Sequence, residues 1–325
     1  MISPDVAGAV GRLEREGALA PEQARLFWRV ARGELISLSV DIQALLYLGV
    51  VALTTGASLL FKKEIANLGP LAIALGVGAV AALCLLWVAR RSPAFSGGEV
   101  TSPHFAFDYI LMLGALLAAS DLAFIEAQFS PLGERWPFQL LAISLFYAAL
   151  AFRFDSRAVF ALSLTTFAAW RGVAATSVER AVFGFFEEAD AVRLNALVCG
   201  VLFVALGREL ERRRFKPHFE PTAVHLGWLL TLQAIAWGID RGPLAVPHRL
   251  ALLLVGGTLA FLAWHGARFA LFVFGVLAAY LGLMAMVTDA VDDTEAVLLL
   301  VALSAIGLLF GLAALHRRFP EEGRE

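Results

Sequence analysis

Long apolar runs alternate with short charged segments along almost the whole chain. A run of about 20 apolar residues is long enough to cross the hydrocarbon core of a bilayer as a helix. The runs at 137–152, 193–207 and 250–264 fall below the usual length of about 17 to 25 residues, and we expect their helices to extend into the flanking residues. The pattern predicts an all-α fold, a polytopic transmembrane bundle of about ten spans. The runs lie approximately at 42–61, 67–89, 105–129, 137–152, 158–175, 193–207, 222–238, 250–264, 269–288 and 296–315.

The region before the first run has a different, amphipathic pattern. Ser3 can cap a helix that begins at Pro4 and stops near Gly17, and a second helix can begin at Pro21. Each of these short helices has one apolar face, so residues 1–36 predict a helical hairpin outside the membrane. The expected division is a cytoplasmic hairpin over 1–36, a transmembrane bundle over 37–318 and a cytoplasmic tail over 319–325.

Basic residues accumulate in every second connection between the runs. With the N-terminus placed in the cytoplasm, 18 of the 26 lysines and arginines fall on the inner side. Positive charge favours the cytoplasmic side of a membrane, so an even number of spans with both termini cytoplasmic is predicted. Seven fall on the outer side and one lies within a run: Lys62, Lys63, Arg135, Arg180, Arg193, Arg241 and Arg249, and then Arg171.

Composition supports the membrane interpretation. The apolar fraction is 59%, charged residues make up 17%, and mean hydropathy is +0.75. A soluble domain is usually less apolar and more charged than this. The net charge of −2 argues against a nucleic-acid-binding protein. The two cysteines, Cys84 and Cys199, both lie in apolar runs, so we expect packing residues, with no metal site and no cofactor.

Ionisable residues inside spans are costly and often functional. Asp121 lies deep in the third run and Arg171 lies at a similar depth in the fifth, so we hypothesise that they form a buried charge pair. Such a pair is either a proton- or anion-linked site or a purely structural contact. A stripe of small and polar residues surrounds Asp121 on its predicted helix and should face other helices: Gly114, Ala118 and Gln128.

A second group of polar residues is expected near the cytoplasmic face. Asp108 begins the third span and His225 begins the seventh, while His104 and His218 lie just outside the runs. Histidine beside a carboxylate can relay protons or bind a metal, although interfacial polar residues are also common without any such role. The nearby basic stretch from Arg208 to Lys216 either binds anionic lipid head groups or only sets the topology.

Several short motifs lie in and around the first run: Leu13-Glu14-Arg15-Glu16-Gly17-Ala18-Leu19, Pro21-Glu22-Gln23-Ala24, the first span and Ile65-Ala66-Asn67-Leu68-Gly69-Pro70. They resemble those of a bacterial family of predicted membrane proteins of unknown function. Leu68 stands where that family's Ala-Asn-Trp turn has tryptophan. The resemblance implies a cytoplasmic helical hairpin followed by multiple spans in the bacterial inner membrane, and it carries over no catalytic residues.

Three functions remain open from the sequence. The protein is a small-solute or ion permease, a non-catalytic scaffold, assembly or sensory protein whose hairpin docks a cytoplasmic partner, or a membrane enzyme acting on lipid-linked substrates. Walker, GxGxxG, HExxH and GxSxG motifs do not occur in the sequence, so an enzyme is the less favoured alternative. The lipid bilayer is the expected partner in every case.

Overall fold

In the computed structural model the described residues are 48–49, 51–53, 55–56, 69–100, 106–182, 188–240, 245–291 and 294–316. The predicted hairpin over 1–36 and the tail over 319–325 lie outside them, and the first predicted span is described only at short helical pieces. The chain divides into two compact units, Met1–Ile73 and Ala74–Glu325. The account below concerns the second unit, together with the first turn of the helix that crosses the boundary.

Most of the described residues are helical, and none of them forms a strand. Nine long helices follow one another, each matching one of the nine apolar runs that begin at 67 or later. The three short runs do extend into their flanks, as expected. The helices are α1 Pro70–Arg91, α2 Phe107–Phe129, α3 Pro137–Phe154, α4 Arg157–Val182, α5 Glu188–Arg212, α6 Glu220–Ala236, α7 Ala245–His265, α8 Phe269–Ala290 and α9 Thr294–His316.

Seven of these helices are long and apolar enough to cross a membrane, namely all except α4 and α6. They indicate an integral, multi-pass membrane protein. Helix α6 has only 17 residues, and the side chains of α4 are described only as far as Gly172. The span count of ten is therefore not confirmed.

Helix α6 lies at the centre of the packing because it contributes to two apolar cores. One core is built by α1 to α5 and includes Phe219 and Ala223 at the start of α6. The other is built by α7 and α8 and includes Val224 and Leu232 of α6. A helix buried on several sides can carry small and polar residues that a lipid-facing helix would not.

Glycines bring two helix pairs into direct backbone contact. A Cβ atom added to Gly227 of α6 would lie 2.6 Å from the carbonyl oxygen of Gly200 of α5. A Cβ atom added to Gly256 of α7 would lie 2.7 Å from the carbonyl oxygen of Gly275 of α8. Small residues allow membrane helices to approach closely, so the α5–α6 and α7–α8 hairpins are tightly closed along their length.

Candidate functional site

The connections α1–α2, α3–α4, α5–α6 and α7–α8 meet at one end of the helices, which we call the arginine-rich end. Arg153 at the end of α3 donates to the carbonyl of Pro93 and to the hydroxyl of Ser92. The connections α3–α4 and α5–α6 are linked through Asp155 and Lys216. Polar contacts thus join the four connections that the sequence predicts to face the cytoplasm.

Local backbone geometry positions the central residues of this end. Asp155 ends α3 in the left-handed conformation with φ of 60°, and its N–H donates to the carbonyl of Ala151. The next residue, Ser156, accepts from the N–H of Val159 at 3.4 Å and so begins α4. Lys216 also has a positive φ of 50°, and it precedes the 3₁₀ turn Pro217–Phe219. Asp tolerates this backbone region better than most residues, whereas Lys216 is held there by its surroundings.

Lys216 and Asp155 form a buried ion pair. The ammonium group lies 2.6 Å from both carboxylate oxygens of Asp155. The side chain of Lys216 is fully buried, and that of Asp155 is 5% exposed. The backbone N–H of Lys216 donates to the carbonyl of Gly97 at 2.7 Å, and its ammonium lies over the ring of Phe95. The pair therefore fastens the α5–α6 connection to two neighbouring connections.

His218 lies beside this pair and is only 8% exposed. Its Nε2 atom is 3.1 Å from Oδ1 of Asp155, yet the angles are not those of a hydrogen bond, and within the described part of the chain neither ring nitrogen has a hydrogen-bond partner. Burial lowers the pKa of His218 below its usual value; the carboxylates of Asp155 and Glu99 oppose this, and the cations Arg157 and Lys216 add to it. The imidazole is therefore neutral at pH 7.

A second carboxylate at the arginine-rich end, that of Glu220, holds the α7–α8 connection in place. Glu220, at the start of α6, is 4% exposed. It accepts hydrogen bonds from Arg208 of α5 and from Arg268 in the α7–α8 connection. Glu211 lies 3.2 Å from Arg208 and 3.6 Å from Arg268, which completes a network of two arginines and two glutamates. Buried charges are normally paired in this way because an isolated one is costly.

These contacts were missed by reasoning from the sequence. Arg268 was counted only as a positive charge that sets the topology, and Arg208 and Lys216 were expected either to set the topology or to bind lipid head groups. Neither Asp155 nor Glu220 was singled out. A signal was available: Asp155 and Glu220 are carboxylates at helix ends where the neighbouring charges are almost all basic. Of the histidines near this face, His218 belongs to the cluster, whereas His104 lies outside the described residues.

The other predicted residues of this face occupy α2 and α6. Asp108 is half-buried in the first turn of α2. His225 is half-buried in α6, and its ring makes an edge contact with Phe274 of α8 at 6.0 Å between centroids. An Asp108–His225 cluster stays a prediction.

Asp121 lies on the face of α2 that packs on α1. Its Oδ2 atom would be 2.9 Å from a Cβ added to Gly78, and Oδ1 is buried without a hydrogen-bond partner among the described residues. Gly114 is buried on the same face, against Cys84 and Leu85. Ala118 is half-buried and Gln128 is exposed near the end of the helix. The inner part of the predicted stripe therefore faces another helix.

Arg171 lies at the contact between α4 and α5. It adjoins the thiol of Cys199. Asn195, one turn away on α5, donates to the carbonyl of Ala168 at 3.1 Å, and the thiol of Cys199 lies 3.6 Å from its amide oxygen. The contacts recorded for Arg171 and Asp121 thus involve different helices, and their pairing stays a prediction.

Among the residues that the structure describes, no three or more histidine, cysteine, aspartate or glutamate side chains are arranged to hold a metal ion. The chemistry of the arginine-rich end is instead that of ion pairs and one neutral imidazole. No protein-family model, curated protein or solved structure matches this chain.

Proposed function

We propose that this integral membrane protein is a non-transporting scaffold, assembly or sensory protein of the bacterial inner membrane. In this proposal both termini are cytoplasmic and residues 1–36 dock a cytoplasmic protein partner. The observation that carries it is the close backbone contact within the α5–α6 and α7–α8 hairpins, where the glycines leave no room for a solute between the helices.

The ion pairs at the arginine-rich end support the same proposal. Lys216 with Asp155, and Glu220 with Arg208 and Arg268, join three connections, and in each pair at least one partner is buried. Such pairs hold one arrangement of helix ends, because separating them would leave a buried charge without a partner. A rigid membrane platform suits a protein whose working part is a docked cytoplasmic partner.

The native cysteines directly test whether water is excluded from the interior of the helix bundle. In a Cys84→Ser background, Cys199 is the single thiol, and its side chain is fully buried between α4 and α5. We expect it to stay unreactive towards a water-soluble maleimide in native membranes and to react after denaturation. Glu134→Cys, at an exposed position, is the matched control in a chain whose two native cysteines are both replaced by serine, and it should react at once.

Rapid labelling of Cys199 from the aqueous phase would contradict the scaffold proposal and favour transport. Deletion of residues 1–36 gives a separate test. A scaffold should lose its associated phenotype while the bundle still inserts and folds. If the phenotype survives the deletion, the docking role of the hairpin is wrong.

A small-solute or ion permease is the second candidate, and Asp121 is the observation that favours it. An oxygen of this carboxylate is buried within an apolar helix without a hydrogen-bond partner among the described residues. Such groups often mark ion or proton pathways. Transport in proteoliposomes that is abolished by Asp121→Asn, but kept by Glu126→Gln nearer the end of the same helix, would support a permease.

Under the permease candidate, the hypothesis that Asp121 pairs with Arg171 needs a separate test. If Asp121 and Arg171 form an ion pair, the exchange Asp121→Arg/Arg171→Asp should restore folding that Asp121→Arg alone destroys. Failure of the exchange would exclude direct pairing.

An enzyme acting on lipid-linked substrates is the third candidate. Its best residues are Asp155 and His218, but both oxygens of Asp155 already contact Lys216, so this carboxylate is poorly placed to act on a substrate.

A further inference from the structure

Five arginines at the arginine-rich end have no carboxylate partner among the described residues. Arg153 uses its guanidinium on a backbone carbonyl and a hydroxyl, and Arg91 lies over the ring of Trp87 in its own helix. We call these five the arginine surface; they are all exposed: Arg90, Arg91, Arg153, Arg212 and Arg214. Their positive charge is therefore left for a ligand or for solvent.

Aromatic contacts bring this surface together from three helices. The ring of Phe215, after α5, stacks on Phe152 of α3 with centroids 5.9 Å apart. It also contacts Phe95, which follows α1, at 6.5 Å. The ends of α1, α3 and α5 are thereby held side by side, and each ends in at least one of the five arginines.

Neighbouring arginines at the same end differ because they are neutralised by carboxylates. Arg157 lies 2.9 Å from Glu99, and Arg208 contacts both Glu211 and Glu220. Arg213, between two members of the arginine surface, is paired with Glu209 one turn earlier. Positive charge is therefore unbalanced at the arginine surface and balanced beside it.

The surroundings of the arginine surface are apolar on the side of the helices. Leu83 and Leu86 are exposed one to two turns before the arginines of α1, and Leu202 and Leu206 are exposed before those of α5. Phe95, at the level of the charges, is 55% exposed. The cations at the helix ends match the phosphate of a phospholipid, the aromatic rings beside them match its glycerol part, and the leucines beyond match its acyl chains.

We propose that the arginine surface binds the phosphate head group of an anionic phospholipid. Arg212 and Arg214 provide charge from α5, while Arg90, Arg91 and Arg153 provide it from α1 and α3. The exposed leucines of α1 and α5 contact the acyl chains. A free phosphate ion or an acidic soluble protein would use the charges but would leave the leucines without a role.

The test measures lipid retained by the purified full-length protein. Native mass spectrometry in mixed micelles compares phosphatidylglycerol with phosphatidylethanolamine, and we expect preferential retention of phosphatidylglycerol that weakens as salt is added. Each basic residue near a membrane surface is worth about 1 kcal/mol, which is about fivefold in affinity. The variant Arg212→Gln/Arg214→Gln removes two such charges and should therefore bind phosphatidylglycerol about 25-fold more weakly.

Arg213→Gln is the matched control, because it removes a charge that Glu209 already balances. We expect its lipid retention to stay within about twofold of the original. An equal loss in the control and the double variant would overturn the proposal, as would equal retention of both lipids. Displacement of the lipid by millimolar inorganic phosphate would show that a free anion is the occupant. Should the double variant fail to fold, the proposal is judged on the unaltered protein. Retention of phosphatidylglycerol that does not weaken as salt is added would then overturn it.

Discussion

Lys216 shows how much a single side chain can contribute in this fold. Its sequence context, a basic stretch between two apolar runs, is typical of a solvated charge that only orients the chain. The structure buries it completely and places both oxygens of Asp155 at 2.6 Å. Removing one partner of a buried pair leaves the other charge without compensation, which usually costs about 3–5 kcal/mol.

Lys216→Met should therefore destabilise the protein by about 3–5 kcal/mol in the free energy of unfolding. Lys216→Met/Asp155→Asn should recover most of this loss, because asparagine is neutral and tolerates the left-handed backbone of Asp155. Arg157→Gln is the control, since its pair with Glu99 is exposed and should contribute less than about 1 kcal/mol. Equal stabilities for the single and double variants would contradict the ion-pair explanation.

The lowered pKa of His218 predicts how the stability of the fold depends on pH. Burial lowers its pKa in the folded protein, so the unfolded chain binds a proton more readily. Stability is then greatest above the usual pKa of 6.5 and is lost as the pH falls from that value through the lower pKa of the folded protein. Unfolding measured between about pH 7.5 and 5 should show this loss, and His218→Gln should reduce it. An unchanged pH profile in the variant would exclude His218 as the titrating group.

The helices form as their hydrophobic pattern predicts, but their contacts depend on which small residues meet. Ser144 of α3 and Ser163 of α4 exchange hydrogen bonds with each other's carbonyls at 3.0 and 2.9 Å. Gly256 of α7 lies directly against the backbone of α8, whereas the adjacent Gly257 has nothing within 4 Å of an added Cβ. Two neighbouring glycines in one run thus have opposite roles, which no local pattern distinguishes.

Gly256→Ala should destabilise the α7–α8 hairpin by about 1–3 kcal/mol, because the new Cβ would overpack a closed contact. It would lie 2.5 Å from the N atom of Ala279. Gly257→Ala should be neutral or slightly stabilising, since alanine favours a helix over glycine and meets open space. Thermal unfolding of the two variants in the same detergent provides the comparison, and similar losses in both would refute the close-contact explanation.

At the scale of the second unit, basic residues concentrate at the arginine-rich end, where carboxylates such as Asp155 and Glu220 pair with some of them. At the end opposite the arginine-rich end, Arg249 of α7 pairs with Asp289 of α8 at 2.6 Å and donates to the carbonyl of Ile239 after α6. This concentration of positive charge is the basis for predicting cytoplasmic termini, and the orientation stays a prediction. The orientation of the protein in a membrane depends on the charges of all its connections together.

A reporter that is active only in the cytoplasm tests this orientation. Fused after residue 318, behind the basic end of α9, it should be active, whereas fusion after residue 293, in the acidic connection before α9, should abolish activity. The opposite result would invert the topology and place the arginine-rich end outside.

Apolar periodicity and charge are local properties of the chain, and they were sufficient for the membrane class, the all-α fold and the positions of the nine described helices. The partners of Asp155, Lys216, His218 and Glu220 were decided only by tertiary structure. Asp155 follows α3, whereas Lys216 and His218 lie between α5 and α6 and Glu220 begins α6. The aromatic packing around Phe215 and the glycine contacts hold these helix ends together. A charge that looks solvated in the sequence becomes a buried partner because burial depends on the neighbours that packing supplies.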